Sequence, residues 1–379
     1  MNILLACLAG GGCIACIAYI LLSSKTEKRQ QCATLPAKAR PHPIPEVSDL
    51  VAQNGTPSPE WQETLFAALD HIFAGTKATT EQQLARTYQL QTEAVQATLT
   101  RLVQGFEKVG TLHSSLAAFD QPGISLKEMG DIVAHDPLLS SRLLKTINSP
   151  MFRTATNIKS IHTGVNILGL HNLKNMVAYG TMPYQLYKHP VHRHMFKEIW
   201  QHMNNTAIIA SFMAKSRQDL DSGSLYTAGL MHDIGKLMLV LMIRNVDDMP
   251  MYPYNLDNEY DRLSTTHIQV LKIMFADGSL PDQLKFLVLN HHVPSFTPAQ
   301  HLDCNAEQAK SLTILFIANQ IAKLITADGY ISEDIEVLDQ LEPGYQDIIT
   351  REEVRQIFLS PDLMRDILIN IRLVRAMLG

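Results

Sequence analysis

The residues best suited to chemistry lie in one small, apolar run between Ala228 and Leu237. His232 is followed directly by Asp233, and Lys236 comes one helical turn after the imidazole. Burying these side chains costs free energy unless something compensates for their polarity. A divalent metal would compensate, because imidazole offers a neutral nitrogen and carboxylate an anionic oxygen, a combination that suits Zn, Mn or Fe. Lys236 would then hold a phosphate oxygen or balance the carboxylate.

A second His-Asp pair shows that the dipeptide alone is weak evidence for a metal. In His135-Asp136-Pro137 the carboxylate is placed to cap a helix whose first position is proline. We therefore predict a structural role for that pair. A metal site at Asp233 requires further ligands from other segments.

Helical periodicity predicts that donors from four other segments face the same interior. His267 lies on the apolar stripe of a helix predicted over Asp261 to Ala276, and Asn319 lies on the stripe of a later helix. His291 and His292 end another helix, where the negative pole of the helix dipole favours a cation. The full set of candidate metal ligands is Glu198, His202, His232, Asp233, His267, His291, His292 and Asn319.

Each of these candidates also has a purely structural interpretation. A single inward-facing histidine is more often a core side chain satisfied by one hydrogen bond than a metal ligand. Several inward-facing histidines together with a His-Asp pair would be a costly set of polar burials without a shared partner. The joint pattern therefore favours a pocket for one or two divalent ions, either functional now or left from an ancestor.

The order of these residues resembles the HD superfamily of metal-dependent phosphohydrolases, and in particular the ligand set of HD-GYP cyclic-dinucleotide phosphodiesterases. The upstream region more strongly resembles the HDOD family, and this resemblance spans roughly Val109 to Ile325. The landmarks that carry the HDOD resemblance, in the right order, are Asp136-Pro137, Asn148-Ser149-Pro150, Ile158-Lys159-Ser160-Ile161 and Leu168-Gly169.

Two departures from the HD pattern bear on catalysis. The superfamily's last ligand is an aspartate, and the matching position here is Asn319, a neutral and weaker donor; nor does a Gly-Tyr-Pro follow His291-His292. The HDOD resemblance implies a signalling module that acts by binding protein partners, with a vestigial or regulatory metal pocket. The alternative is a metal-dependent phosphodiesterase of HD-GYP type acting on a cyclic dinucleotide, with Asp233 and Lys236 in the catalytic roles.

The N-terminus predicts a membrane anchor. The stretch from Ile3 to Leu22 carries no charge and is long enough to cross a bilayer as one helix. The spacing of Ala6 and Gly10 would permit close helix approach and a homo-oligomer in the membrane. The charges that follow are Lys25, Glu27, Lys28, Arg29, Lys38 and Arg40. By the positive-inside rule, this excess of basic residues predicts a single-pass inner-membrane protein whose C-terminal part lies in the cytoplasm.

A nucleic-acid-binding function is disfavoured. The net charge of the 379 residues is −5, with both signs evenly spread, which argues against a bulk electrostatic grip on nucleic acid. A helix-turn-helix is conceivable between Thr79 and Phe106, yet its reading helix, from Thr92 to Leu102, carries only Arg101 as a basic residue. Plain helical packing or a partner-docking surface is the better interpretation.

The predicted fold is all-α, because no alternating strand pattern of any length occurs. It is a multi-helix bundle with an HD-like subdomain, preceded by the transmembrane helix. The predicted units are an anchor (1–24), a Pro-rich tether (25–58), an N-terminal helical segment (59–108), an HDOD domain (109–326) and C-terminal helices (327–379). Within the HDOD domain, residues 109–190 form an N-terminal bundle and residues 191–326 the HD-like bundle.

Overall fold

The computed structural model describes residues 60–75, 87–88, 93–109, 124–148, 157–178, 190–217, 219–242, 256–276, 280–298, 301–326, 329, 331–332, 338, 341–344 and 348–378. Within these ranges the protein is helical, and one isolated β-bridge joins Ile325 to Ile331. The predicted all-α class is therefore confirmed for this part of the chain. None of the described helices is both long and apolar enough for a membrane span. The predicted anchor and tether lie outside the described residues.

Fourteen α-helices are named here in chain order, and a short 3-10 turn covers Val293–Ser295. They are α1 (Glu60–Ile72), α2 (Glu93–Val109), α3 (Leu126–Ala134), α4 (Pro137–Ile147), α5 (Ile161–Ala178), α6 (Pro190–Lys215), α7 (Ser222–Met231), α8 (Ile234–Met242), α9 (Leu256–Leu263), α10 (His267–Met274), α11 (Asp282–Asn290), α12 (Ala306–Ala322), α13 (Arg351–Leu359) and α14 (Pro361–Leu378).

Local sequence signals fix several helix starts. At the start of α3, the Ser125 side chain accepts a hydrogen bond from the backbone N–H of Glu128, whose carboxylate accepts one from the backbone of Ser125. The same reciprocal arrangement opens α12 at Asn305 and α13 at Thr350. Each capping box satisfies two backbone donors that the helix itself cannot pair. Each of these helix starts is therefore determined by a few neighbouring residues in the sequence.

The long helix α6 forms the centre of the bundle. It packs against α7, α8, α12 and α14, and its side chains Trp200, Met203 and Ala207 are buried. Helix α7 crosses it closely at Gly229, where an added Cβ would lie 2.7 Å from the Cα of Ala207. Only glycine permits this approach without a backbone shift. The crossing brings the end of α7, and with it the His232-Asp233 pair, against the bundle interior.

The N-terminal helices pack onto the bundle from two sides. Helix α1 contacts α12 and α13, whereas α2 contacts α8 and α10 with Leu99 and Val103 buried. The Thr266 hydroxyl donates a 2.9 Å hydrogen bond to the carbonyl of Thr87. The described part of the segment between Thr79 and Phe106 thus has a face that packs against the core of the protein.

The single helix predicted over Asp261 to Ala276 is wrong. Helix α9 ends at Leu263 and α10 begins at His267, because Ser264 adopts a left-handed conformation with φ of 53°. Its backbone N–H still bonds the Tyr260 carbonyl at 2.7 Å, which closes the last turn before the chain reverses. His267 is therefore the first residue of a helix rather than part of a continuous stripe.

Candidate metal centre

The His232-Asp233 pair occupies the turn between α7 and α8. Both side chains are fully buried. Gly235 follows in α8 and faces the start of α10 so closely that an added Cβ would lie 2.5 Å from the carbonyl oxygen of His267. The glycine thus allows α10 to begin beside Asp233, and this close backbone approach brings His267 into the site.

The two carboxylate oxygens of Asp233 face different sets of imidazoles. Oδ1 lies 3.3 Å from Nε2 of His267 and 3.6 Å from Nε2 of His291. Oδ2 lies 3.4 Å from Nε2 of His232, 3.7 Å from Nε2 of His202 and 2.8 Å from the ammonium of Lys236. One buried carboxylate is therefore shared by donors from α6, α8, α10, the α7–α8 turn and the residue that follows α11.

These donors form two groups with metal-binding geometry. The first group is His202, His232 and Asp233, and the second is Asp233, His267, His291 and His292. Within each group the donor atoms lie within 4.8 Å of one another, and every member is buried. The structure therefore brings together six of the predicted site residues around a single point inside the bundle.

Four of the imidazole rings are held in place through Nδ1. His232 Nδ1 lies 2.7 Å from the Gly229 carbonyl, and His291 Nδ1 lies 2.8 Å from the Val288 carbonyl. His267 and His292 instead contact carboxylates, at 2.8 Å in each case, from Glu259 and Glu342. A carbonyl oxygen can only accept, so Nδ1 of His232 and His291 carries the proton. Nε2 of those two rings then carries its lone pair towards the cluster, the arrangement typical of metal-binding histidines.

Several atoms at the centre of the cluster have no hydrogen-bond partner. They are Nε2 of His232, Oδ1 of Asp233 and Nε2 of His292, all buried. Buried polar atoms are almost always paired, because an unpaired one costs about 1–3 kcal/mol. Nitrogen and carboxylate donors at this spacing are the ligands that Zn, Mn and Fe prefer. The residues present therefore fit a divalent metal.

The electrostatics of the site keep its donors in their metal-binding forms. Burial lowers the pKa of His202, His267 and His291 well below the usual range, so these rings are neutral at pH 7. Burial alone would raise the pKa of Asp233, but His232 and Lys236 lower it well below its usual range. A metal needs neutral imidazole and ionised carboxylate, and His202, His267, His291 and Asp233 already have these forms.

Two predicted site residues behave differently from the others. Asn319 lies beside the first group, with its Oδ1 2.8 Å from Nε2 of His202. Glu198 is not brought into either group; its carboxylate is partly exposed and pairs with His194 one turn earlier on α6, at 3.3 Å.

Lys236 is buried, and its pairing with Asp233 raises the lysine pKa despite burial, so the ammonium stays charged.

The family model for the HDOD domain matches residues 109–294. The chain carries an HDOD domain. The match includes α3 to α11 and ends at Pro294, and every member of the two metal-binding groups lies within it.

Several solved structures are similar to part of this chain. A virulence factor from Campylobacter jejuni subsp. jejuni aligns at 17% identity and a TM-score of 0.49, covering 61% of this chain and 84% of that chain. The MmoQ response regulator from Methylococcus capsulatus aligns at 15% identity and a TM-score of 0.41, with the same coverage of 61% and 84%. An HDOD domain protein with unknown function from Geobacter sulfurreducens aligns at 23% identity and a TM-score of 0.30, covering 60% and 78%. No curated protein sequence matches the chain.

Sequence reasoning missed the two carboxylates that orient His267 and His292. Glu259 lies inside the HDOD domain but on α9, and the predicted continuous helix hid the chain reversal that brings it back to His267. Glu342 lies beyond the domain match, 50 residues after His292. No spacing rule links either pair, because the contacts depend on tertiary packing.

Proposed function

We propose that this protein is a signal-transduction protein whose HDOD domain carries a regulatory divalent-metal pocket and acts through protein partners. The observation that supports it is the convergence of five buried imidazoles from four parts of the chain on the one carboxylate of Asp233. Burial of so many polar groups is unfavourable without a shared ligand, and a divalent ion is the ligand whose chemistry fits them.

The two groups define where ions would be held. His202, His232 and Asp233 would hold one ion, and Asp233, His267, His291 and His292 would hold the other. A bound divalent ion acts as a Lewis acid and lowers the pKa of a bound water. Lys236, at 2.8 Å from Asp233, balances the charge of the shared carboxylate.

The regulatory role is favoured over turnover by what surrounds the first group. Asn319 occupies the position where the HD pattern has an aspartate, and its amide is bonded to His202. A neutral amide offers an ion less charge than a carboxylate does, and so it gives weaker and more exchangeable binding. Exchangeable binding suits a sensor. The predicted anchor at residues 3–22 would keep such a sensor at the cytoplasmic face of the membrane.

Metal content tests this proposal directly. The full-length protein would be incubated in turn with Zn²⁺, Mn²⁺ and Fe²⁺, freed of loosely bound ions, and analysed for metal per chain. We expect near-stoichiometric metal for at least one ion, and a loss of most of it in Asp233→Ala. Asp136→Ala, at the other His-Asp pair, is the matched control and should bind metal as the unaltered protein does. No retained metal with any of the three ions would overturn the proposal.

A second candidate function is metal-dependent phosphodiester hydrolysis. The observation that favours it is the sharing of Asp233 between two groups of ligands, since two metals held side by side are a common arrangement for phosphodiester cleavage. Metal-loaded protein would be tested with bis(p-nitrophenyl) phosphate and with cyclic dinucleotides. Turnover that disappears in Asp233→Ala would establish the enzyme. Bound metal without turnover would leave the regulatory function standing.

A further inference from the structure

The carboxylate that orients His292 comes from a segment outside the HDOD domain match. Glu342 lies in the stretch Leu341–Gly344, between α12 and α13, and its Oε2 is 2.8 Å from Nδ1 of His292. The domain match ends at residue 294. A part of the chain that the family does not share therefore reaches the buried cluster.

Glu342 is held firmly on the side that faces the pocket. Its Oε2 also accepts a 3.1 Å hydrogen bond from the hydroxyl of Ser295, and its Oε1 lies 3.4 Å from the ammonium of Lys323. Its own backbone N–H donates to Oε1 of Gln320 at 2.9 Å. The side chain is thus a fixed acceptor for His292.

The same segment is held on its other side by α1. The His71 ring donates from Nε2 to the carbonyl of Leu341 at 3.2 Å, and the N–H of Gly344 donates to the carbonyl of Ile72 at 2.9 Å. These two hydrogen bonds flank Glu342 in sequence. Leu341 itself is buried against the core. The last turn of α1 therefore fixes the backbone that presents the Glu342 carboxylate.

We propose that Glu342 is a positioning residue for His292, and that the docking of α1 sets how tightly the second group holds a divalent ion. The inference rests on the proposed metal-binding function. Its physical basis is that the partner of a ligand's other ring nitrogen fixes both the tautomer and the orientation of the ring. Release of α1 would free Leu341–Gly344, and His292 would lose the carboxylate that orients it.

The position of α1 in the chain offers a route for regulating the metal site. Helix α1 directly follows the tether predicted over residues 25–58. A structural change that moves α1 would act on Leu341–Gly344 first and on metal affinity through it. The direct side-chain partners of Glu342 are His292, Ser295 and Lys323, whereas the members of the first group lie on α6 and the α7–α8 turn. The two ions should therefore respond differently.

The test of Glu342 is a competitive Zn²⁺ titration of the full-length protein with a chromophoric chelator. Glu342→Gln keeps the size of the side chain and removes its charge, whereas Glu342→Ala removes the acceptor. We expect each variant to weaken the binding of one of the two ions by about 10- to 100-fold and to leave the affinity for the other unchanged. Glu63→Gln makes the same chemical change on the exposed face of α1 and should have no effect. Equal affinities in all variants would overturn the role of Glu342.

The test of α1 is the variant His71→Ala, alone and combined with Glu342→Gln. Loss of one hydrogen bond to Leu341 should lower the affinity for the same ion by about fivefold. If α1 acts through Glu342, the double variant should be little worse than Glu342→Gln alone. Fully additive losses, or weakening of the other ion, would overturn the link between α1 and the site.

A readout that needs no metal separates this inference from the proposed function. Long-range ¹H–¹⁵N correlations report which nitrogen of His292 carries the proton in the empty protein. We expect the Nδ1–H form in the unaltered protein and a mixture of tautomers in Glu342→Ala. An unchanged tautomer would refute the positioning role, even if metal binds. A tautomer change in a protein that retains no metal would instead refute the proposed function alone.

Discussion

The chain contains two His-Asp dipeptides, and they have different surroundings. His135-Asp136 lies between α3 and α4, where Asp136 Oδ1 accepts hydrogen bonds from the backbone N–H groups of Leu138 and Leu139, each at 2.9 Å. His232-Asp233 lies between α7 and α8, where the carboxylate faces four imidazoles and an ammonium. The first pair caps a helix, as its sequence predicts. The second is the centre of a ligand cluster.

The two aspartates also differ in charge state for a clear physical reason. Burial raises the pKa of Asp136 to about 7, because backbone hydrogen bonds compensate only partly for lost water. At Asp233 burial acts the same way, but His232 and Lys236 outweigh it and lower the pKa well below the usual range. At pH 7 the same dipeptide thus gives a partly protonated cap or a fixed anion. Residues distant in sequence decide which one forms.

The largest expected difference between the pairs is in stability after an isosteric change. Asp233→Asn would leave the Lys236 ammonium buried without its 2.8 Å partner, and we expect a loss of about 3 kcal/mol in the free energy of unfolding of the metal-free protein. Asp136→Asn keeps a good helix cap and has no charge to bury, so it should not lose stability near pH 7. Urea unfolding of both variants measures this. Equal losses would remove the distinction between the two sites.

The second prediction concerns pH. Because the folded-state pKa of Asp136 is about 7 and its usual value 3.8, its contribution to stability is complete below the usual value and is lost as pH rises towards 7. His135, whose pKa burial lowers to about 4, acts in the opposite sense, since its unfolded form binds a proton that the folded form does not. Asp136→Asn removes only the first effect. Relative to the unaltered protein, the variant should gain roughly 2–4 kcal/mol of stability between about pH 4 and 7.

Unfolding free energies measured at several pH values would decide the matter. The matched variant His135→Gln should shift the curve the other way, with relative stability falling as pH rises, because it removes the opposing group. Parallel curves for Asp136→Asn and the unaltered protein would mean that Asp136 is ionised in the folded state throughout, and the contrast in charge between the two aspartates would disappear.

The third prediction concerns a change that adds a carboxylate to the ligand cluster around His232-Asp233. Asn319→Asp would place a carboxylate beside His202 in the first group, and we expect that group to bind divalent metal about tenfold more tightly. Without metal, the new carboxylate lies close to Asp233, and the variant should be less stable by about 1–3 kcal/mol. Chelator competition and thermal unfolding measure the two effects. Unchanged metal affinity would place Asn319 outside the influence of the ion.

Most ligands of the site could be predicted from the sequence, because they lie on or next to helices that short-range sequence signals define. Helix periodicity and the order of ligands predicted that His202, His267, His291 and His292 converge near Asp233, and the structure brings these residues together. The prediction for Glu198 rested on the four-residue spacing to His202, which places both on one helix but does not decide which of them reaches the interior. Glu198 pairs instead with His194, at 3.3 Å.

The parts that sequence could not supply all depend on contacts made across chain reversals. The break at Ser264 turns one predicted helix into two and returns Glu259 to His267. Glu342 reaches His292 only because α1 and α12 together fix Leu341–Gly344. Neither contact has a periodicity, since neither lies within one helix. Orienting groups of a buried site are set by packing, whereas the ligands themselves follow the pattern of the helices.

The smallest expected effect lies at the first pair. The hydroxyl of Tyr226 bonds Nδ1 of His135 at 2.7 Å and the carbonyl of Ala134 at 3.1 Å, which connects α7 to the end of α3. Tyr226→Phe should cost about 1 kcal/mol of unfolding free energy and leave metal affinity unchanged, because no group that faces Asp233 contacts this hydroxyl. Denaturant unfolding and Zn²⁺ titration measure the two quantities. A parallel loss of metal affinity would show that the two His-Asp pairs are coupled through α7, since α7 ends at Met231 beside His232.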